Sequence, residues 1–351
     1  MVRKKTKIIK IGNIKIGKGL PIRIQSMTNT PTWDVKKTVK QIKDLENAGC
    51  EIIRVSIPDL KSAQAIKKIK EQINIPLVAD IHFSGELALE AIRQGADKIR
   101  INPGNFPKKS LKEIVTLAKK KNISIRIGIN SGSLEKDILG KRKKATAEMM
   151  VKSAMRSVKL IENLDFHNLV ISLKAPDVLR TIKAHELLSK KTNYPIHLGI
   201  TEAGTYFSGT IKSSIGIGYL LLKGIGDTIR VSLSADPVKE VLVGWEILKS
   251  LELRERGVKI VSCPTCSRSK INVIKIAKEL EELTASTKKP VKIAVMGCVV
   301  NGLGEGKESF LAIVGSGDSL ALLMKKGKII KKGEEAEILK ELKKEIAKID
   351  K

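Results

Sequence analysis

Residues 96–130 read ADKIRINPGNFPKKSLKEIVTLAKKKNISIRIGIN, and this stretch holds one full cycle of the fold. A short β-branched run (96–103) ends at a Pro-Gly turn. A helical pattern over 111–121 follows, with Ser110 as its expected cap, and a second β-branched run (124–130) closes the unit. Strand, helix, strand in this order implies parallel pairing of the two strands.

The same cycle extends in both directions over residues 20–252. Strands are predicted at 21–27, 51–57, 76–83, 96–103, 124–130, 168–175, 195–201 and 227–234. Helices are predicted at 34–48 (stopped by Gly49), 85–94 (capped by Ser84, stopped by Gly95), 111–121, 147–162, 178–190, 211–223 and 237–251. Eight strands in such a span fit a (β/α)8 TIM barrel, with a doubly wound open sheet as the alternative. Ahead of the barrel, residues 8–16 read as strand, turn, strand. Beyond residue 256 the grammar changes to a small α+β unit: strands at 258–261, 291–295, 310–314 and 321–324, and helices at 270–283 and 334–349. The predicted organisation is a barrel domain over 1–256 and a second domain over 257–351.

The chain carries a net charge of +29 with only 3% aromatic residues. A basic nucleic-acid-binding protein is one reading of that charge. The lysines, however, are scattered along helices rather than clustered with aromatics, which favours a solvated surface that attracts anionic ligands. No segment approaches the roughly 18–20 apolar residues of a membrane span, and the N-terminus lacks the apolar core of a signal peptide. The expectation is a cytoplasmic protein with neither membrane nor nucleic acid as partner.

Barrel enzymes act at the C-terminal ends of their strands. Here those ends read Arg54-Val-Ser, Asp80-Ile-His, Arg100-Ile-Asn, Arg126-Ile-Gly-Ile-Asn, Lys174, Glu202 and Arg230-Val-Ser. Within a strand the polar residues are two or four apart, so they share a face, while Val and Ile occupy the other. Four arginines and a lysine facing inward are costly in a core, and they suit a mouth that holds an anion, since guanidinium forks match phosphate oxygens. The competing reading is an internal ion-pair lattice with Asp80 and Glu202. Glu202 is a candidate proton donor or orienting group, or else merely holds an arginine. His82 and His197 are candidate ligands or ordinary structural histidines. Cys50 reads as a small buried apolar residue.

The other three of the four cysteines fall in the second domain. Cys263 and Cys266 form a Cys-x-x-Cys loop, and Cys298 follows in a second loop, with Glu305 beyond it. Zinc is one reading, but no fourth Cys or His is present to close the site. A redox pair is another, though it leaves Cys298 unused. Three thiolates suit a [4Fe–4S] cluster with one iron not held by sulfur, a corner that a carboxylate such as Glu305 is able to fill. Glycines 302, 304 and 306 would let the backbone fold closely there. The same glycines make only a weak phosphate loop, because Lys307 precedes Glu308 rather than Ser or Thr.

Ten segments, in order, carry a resemblance to a known family: Gln25-Ser-Met-Thr-Asn-Thr, Gly49-Cys-Glu-Ile-Ile-Arg-Val, Ala79-Asp-Ile-His-Phe, Ile99-Arg-Ile-Asn-Pro-Gly-Asn, Arg126-Ile-Gly-Ile-Asn-Ser-Gly-Ser, Ser172-Leu-Lys, Gly199-Ile-Thr-Glu-Ala-Gly, Ile229-Arg-Val-Ser-Leu, Ser262-Cys-Pro-Thr-Cys and Cys298-Val-Val-Asn-Gly. The chain resembles the bacterial 4-hydroxy-3-methylbut-2-en-1-yl diphosphate synthases, iron–sulfur enzymes of the methylerythritol phosphate pathway to isoprenoids. The resemblance implies a substrate-binding barrel and a domain carrying a [4Fe–4S] cluster on Cys263, Cys266, Cys298 and Glu305. It implies diphosphate contacts from Arg54, Arg100, Arg126, Lys174, Arg230 and Ser232, with Asn130 nearby and Glu202 at the reacting end. The implied reaction is the two-electron reductive ring opening and dehydration of 2-C-methyl-D-erythritol 2,4-cyclodiphosphate. The implied electron donor is flavodoxin or ferredoxin, and the implied assembly is a head-to-tail homodimer in which one subunit's cluster domain caps the other's barrel. One departure is Leu303, where the family usually has Pro. The rival function is a non-redox barrel of pterin-synthase or aldolase type with a structural zinc appendage.

Overall fold

The computed structural model describes residues 2–349, which form two compact units divided between Arg254 and Glu255. In the first unit a hairpin of β1 (Ile9–Ile11) and β2 (Ile14–Ile16) precedes eight parallel strands. These are β3 (Arg23–Met27), β4 (Ile52–Ser56), β5 (Leu77–Asp80), β6 (Lys98–Ile101), β7 (Ser124–Asn130), β8 (Leu169–Lys174), β9 (His197–Leu198) and β10 (Thr228–Ile229). Their order is β8-β7-β6-β5-β4-β3-β10-β9, and a parallel bridge between Ile171 and Ile196 brings the two edges together. The sheet is thus the anticipated TIM barrel, and all eight strands lie within their expected ranges.

Alternation fixes what each strand presents. Ile53 and Val55, Ile99 and Ile101, Ile125, Ile127 and Ile129, and Ile171 and Leu173 join one buried cluster with apolar residues of the surrounding helices. Arg54, Arg100, Arg126 and Lys174 alternate with them and turn the other way. The β1–β2 hairpin packs Ile9, Ile11 and Ile16 against Ile52, Val78 and Val170, residues from the early parts of β4, β5 and β8. It therefore stoppers the barrel at the end opposite the polar mouth.

Helix starts follow local chemistry. Asp34 accepts a hydrogen bond from Lys37 N–H, and Ser84 one from Leu87 N–H. Gly49 ends the first helix at φ +102°, a conformation that glycine adopts without penalty. Three expectations need correction. The helix expected at 211–223 starts five residues earlier, at Tyr206. The helix after β6 begins at Lys108, behind Pro107, so Ser110 lies inside it rather than capping it. A helix at Leu60–Lys70, capped by Asp59, was not anticipated.

The second unit is a five-stranded sheet in the order β11 (Val258–Ser262), β12 (Val291–Met296), β13 (Leu311–Gly317), β14 (Leu320–Lys325), β15 (Lys328–Glu334). The first two pairings are parallel and the last two antiparallel. Helices Val273–Thr284 and Glu335–Ile346 cover the core that Ile276, Leu280, Ile293, Ile313, Leu323 and Leu342 share. Two elements lie outside the sequence expectation: β15 and the helix Val299–Lys307. That helix contains Gly302, Gly304 and Gly306, each of which weakens a helix by about 1 kcal/mol relative to alanine. Two of them earn their place by packing. A Cβ on Gly302 would stand 2.2 Å from Val314 Cγ1, and one on Gly306 would stand 2.3 Å from Met324 Sδ. They let the helix lie directly on the sheet.

Candidate active site

At the C-terminal ends of the barrel strands a cavity of about 150 Å³ is lined by Arg54, Arg100, Arg126, Asn130, Lys174 and Arg230, with Asp80, His82, Ser172 and Thr201 among them. Five bases, four on strands and Arg230 just past β10, surround one carboxylate of the lining, and all but Arg230 are almost fully buried. Asp80 accepts from Arg100 Nη1 at 3.2 Å, and its second oxygen lies 3.7 Å from Arg54 Nε. Burial works against the Asp80 charge, but Arg54, His82 and Arg100 overcome it and hold the carboxyl well below its usual range. Arg100 also reaches Gly128 O at 3.3 Å, and a Cβ on Gly128 would sit 2.3 Å from Arg100 Nε. Glycine there makes room for the guanidinium.

Asp80 in the lining and Glu240 behind Arg230 do not balance five bases. Burial first, and then mutual repulsion among the bases, press Arg126 and Lys174 well below their ordinary values and bring Arg54 down to about 10. Nε and Nη1 of Arg126 have no hydrogen-bond partner among the described residues. Buried donors without acceptors mark a site built for an acceptor-rich ligand. A larger groove of about 680 Å³, with Lys143, Lys144, Arg180 and Lys212 in its walls, shares none of these residues.

The remaining candidates separate. Ser232 is half-buried and outside the cavity lining. Glu202 is exposed, follows the cavity residue Thr201, and adopts φ +52°, a left-handed conformation rare for a residue with a side chain. It makes no ion pair among the described residues, so the lattice reading that paired it with the arginines is not what the fold contains. Arg230 is instead approached by Glu240, at 3.4 Å, which also accepts from Ser26 Oγ at 3.2 Å and Leu233 N–H at 2.9 Å. Sequence reading missed Glu240, because it reads as an ordinary first-turn acid of the helix Pro237–Ser250. His197 is fully buried; its Nδ1 meets Thr228 Oγ1 at 2.8 Å, and burial keeps the ring neutral. Half-exposed His82 stands 3.1 Å from Arg100 Nη1. Cys50 is buried, with its thiol pushed up to about 12.

In the second unit, Cys263 and Cys298 leave the C-terminal ends of the neighbouring parallel strands β11 and β12. Gly297 N–H donates to Cys263 Sγ at 3.1 Å, and Cys266 closes the turn in which its carbonyl accepts from Ser269 N–H at 2.9 Å. Cys298 is the N-cap of helix Val299–Lys307. Three thiols on adjoining loops, one with an N–H already aimed at its sulfur, fit the thiolate ligation of an iron–sulfur group. Glu305 lies seven residues along the helix from Cys298, about 10 Å in axial rise. Its carboxylate pairs with Lys292 Nζ at 3.0 Å. Among the described residues no three Cys, His, Asp or Glu side chains stand close enough to grip a metal ion as they are.

Residues 6–245 match a family model described as the GcpE TIM-barrel domain, and residues 259–348 match one described as the GcpE protein C-terminal domain. A protein from Caldanaerobacter subterraneus subsp. tengcongensis is 59% identical over 349 residues, 99% of this chain and 98% of its own length. One from Caldicellulosiruptor saccharolyticus is 57% identical over 343 residues, 97% of this chain and 98% of its own length. Both carry the name 4-hydroxy-3-methylbut-2-en-1-yl diphosphate synthase (flavodoxin). Among solved structures, dihydropteroate synthase from Stenotrophomonas maltophilia superposes with a TM-score of 0.54 at 12% identity, over 70% of this chain and 97% of that one. A type I 3-dehydroquinate dehydratase from Clostridium difficile gives 0.52 at 19%, over 70% of this chain and 98% of that one. At such identities these two likenesses concern the barrel fold alone.

Proposed function

The chain belongs to the GcpE family, and on that premise we propose that it is a 4-hydroxy-3-methylbut-2-en-1-yl diphosphate synthase. Its substrate is 2-C-methyl-D-erythritol 2,4-cyclodiphosphate, and its product is the open-chain alkenyl diphosphate. The observation that carries this reading is the convergence of Arg54, Arg100, Arg126, Lys174 and Arg230 on one cavity with a single carboxylate among them. Such a site is electrostatically incomplete until an anion of several charges enters it.

In this reading the arginine forks and Lys174 hold the diphosphate oxygens, and Asn130 and Ser232 add neutral donors at its edge. Asp80 keeps Arg54 and Arg100 in place, and Glu240 does the same for Arg230. Cys263, Cys266 and Cys298 would hold a [4Fe–4S] cluster, and Glu305, now paired with Lys292, would be its oxygen ligand. When bound, the cluster supplies electrons and a Lewis-acid site. The net change breaks the ring C–O bond, expels a hydroxyl as water and leaves the alkene; it consumes two electrons and two protons. Glu202 orients or protonates the departing oxygen. Flavodoxin or ferredoxin delivers the electrons. We read the enzyme as a cytoplasmic, head-to-tail homodimer, on the strength of the family resemblance; no helix among the described residues is long and apolar enough to cross a membrane.

The experiment is turnover of the cyclic diphosphate by the anaerobically reconstituted protein with reduced flavodoxin. Alkenyl diphosphate production supports the proposal, and its absence from a cluster-loaded preparation overturns it. For the dimer, Glu202→Ala and Cys298→Ser variants are mixed: restored activity supports sites shared between subunits, and additive inactivity refutes them.

A further inference from the structure

One layer below the mouth, β6 carries another base. Lys98 stands two residues before Arg100 on the same face, is fully buried, and its Nζ has no hydrogen-bond partner among the described residues. Its register neighbour on β7, Ser124, has a hydroxyl equally without a partner. Across the barrel, His197 Nε2 is also unpartnered. A lone ammonium in such a place is strongly disfavoured. Burial first, then Arg126 and Arg54, push the Lys98 amine well below its ordinary value. A diphosphate arriving one layer above reverses the field, because opposite charge favours the ammonium.

We propose that Lys98 is a positioning residue of the anion site, entering binding as a neutral amine and taking one proton from solvent as the diphosphate seats above it. The step is R-NH2 + H+ → R-NH3+, and it makes substrate binding proton-linked. The inference rests on the diphosphate reading given above. The charged and titratable groups facing this interior are Arg54 on β4, Asp80 on β5, Arg100 on β6, Arg126 on β7, Lys174 on β8, His197 on β9, Arg230 just past β10, and Glu240 of the helix Pro237–Ser250 beside Arg230. A guanidinium does not give up its proton at working pH, and Asp80 is already ionised. His197 does not compete: an imidazole's ordinary value lies below the pH of the test, whereas an amine's lies above it. Lys174 does compete, because it lines the cavity and meets the ligand directly.

The test titrates 2-C-methyl-D-erythritol 2,4-cyclodiphosphate calorimetrically into the oxidised, cluster-loaded enzyme with no reductant, at pH 8, in buffers of different ionisation enthalpy. The wild type is expected to take up about two protons, one each on Lys98 and Lys174, and Lys98→Met about one. Between pH 7.5 and 9 the wild-type affinity falls about tenfold more per pH unit than that of the variant. The cluster spectrum stays the same in both. Equal proton uptake by the wild type and Lys98→Met overturns the inference. If Lys98→Met does not fold, Lys98→Gln replaces it; if neither folds, uptake of one proton or none by the wild type overturns the inference. Turnover under reducing conditions is measured on the same preparation. An enzyme that turns over but binds without this uptake refutes the role of Lys98 alone, whereas one that neither binds nor turns over refutes the diphosphate reading.

Discussion

Asp80 accepts a hydrogen bond from Arg100 at 3.2 Å, and both side chains are more than nine-tenths buried. Asp80→Asn keeps the shape but leaves Arg54, Arg100 and Arg126 without a counter-charge. Breaking a buried pair from one side costs about 3–5 kcal/mol, and chemical denaturation at pH 7 is expected to read a loss of that order. The pH dependence follows from the depressed carboxyl. Its stabilisation is complete above the unfolded value, about 4, and is lost progressively as pH falls below it. The wild type therefore loses stability below about pH 4, and the Asn variant lacks that component.

Arg126 gives the opposite balance. Its Nε and Nη1 are buried without partners, so the ligand-free fold bears its cost and only the ligand redeems it. Arg126→Met is expected to stabilise the ligand-free protein by about 1–3 kcal/mol. It weakens substrate affinity by about a hundredfold or more, with the cluster spectrum unchanged. Thermal denaturation and calorimetry on one preparation check both signs.

Glu240 acts through its neighbours. Its contacts to Arg230, Ser26 and the Leu233 N–H orient a base that lines the cavity, while Glu240 itself is not part of the lining. Glu240→Gln is expected to raise KM about tenfold, with kcat changed less than threefold, since a mispositioned Arg230 weakens binding more than chemistry. Steady-state kinetics separates the two.

Much of this was legible in the residues. A period of two put Arg54, Arg100 and Arg126 on one face and Ile on the other, and the fold keeps that division. Asp80 was visible as one of two acids, with Glu202, at strand ends otherwise rich in bases. Other features were hidden for physical reasons. The helix Leu60–Lys70 buries Ala63, Ala65, Ile66 and Ile69 beneath several lysines, so its apolar stripe is thin. Glu240 belongs to a helix, and only the tertiary fold brings it to Arg230. The glycines after Cys298 suggested a loop; their use in packing a helix on Val314 and Met324 depends on strands distant in sequence. Glu202 is exposed and takes a left-handed backbone conformation rare for a residue with a side chain, so its type alone did not announce it.

Cys298 caps a helix on the strand beside the one that delivers Cys263. Cys298→Ser puts a hydroxyl at the N-cap position, where serine is favoured, but removes the sulfur. The expected result is a folded, colourless protein with iron and sulfide near background, inactive yet binding the cyclic diphosphate with affinity within about threefold of wild type. Visible absorbance, metal analysis and calorimetry check the three statements.

The central claim is tested most directly by purifying and reconstituting the enzyme without oxygen, then counting iron and acid-labile sulfide against turnover with reduced flavodoxin. The account expects a brown protein with about four iron and four sulfide per chain whose alkene production rises with cluster content. A colourless, iron-poor preparation with full activity would contradict it.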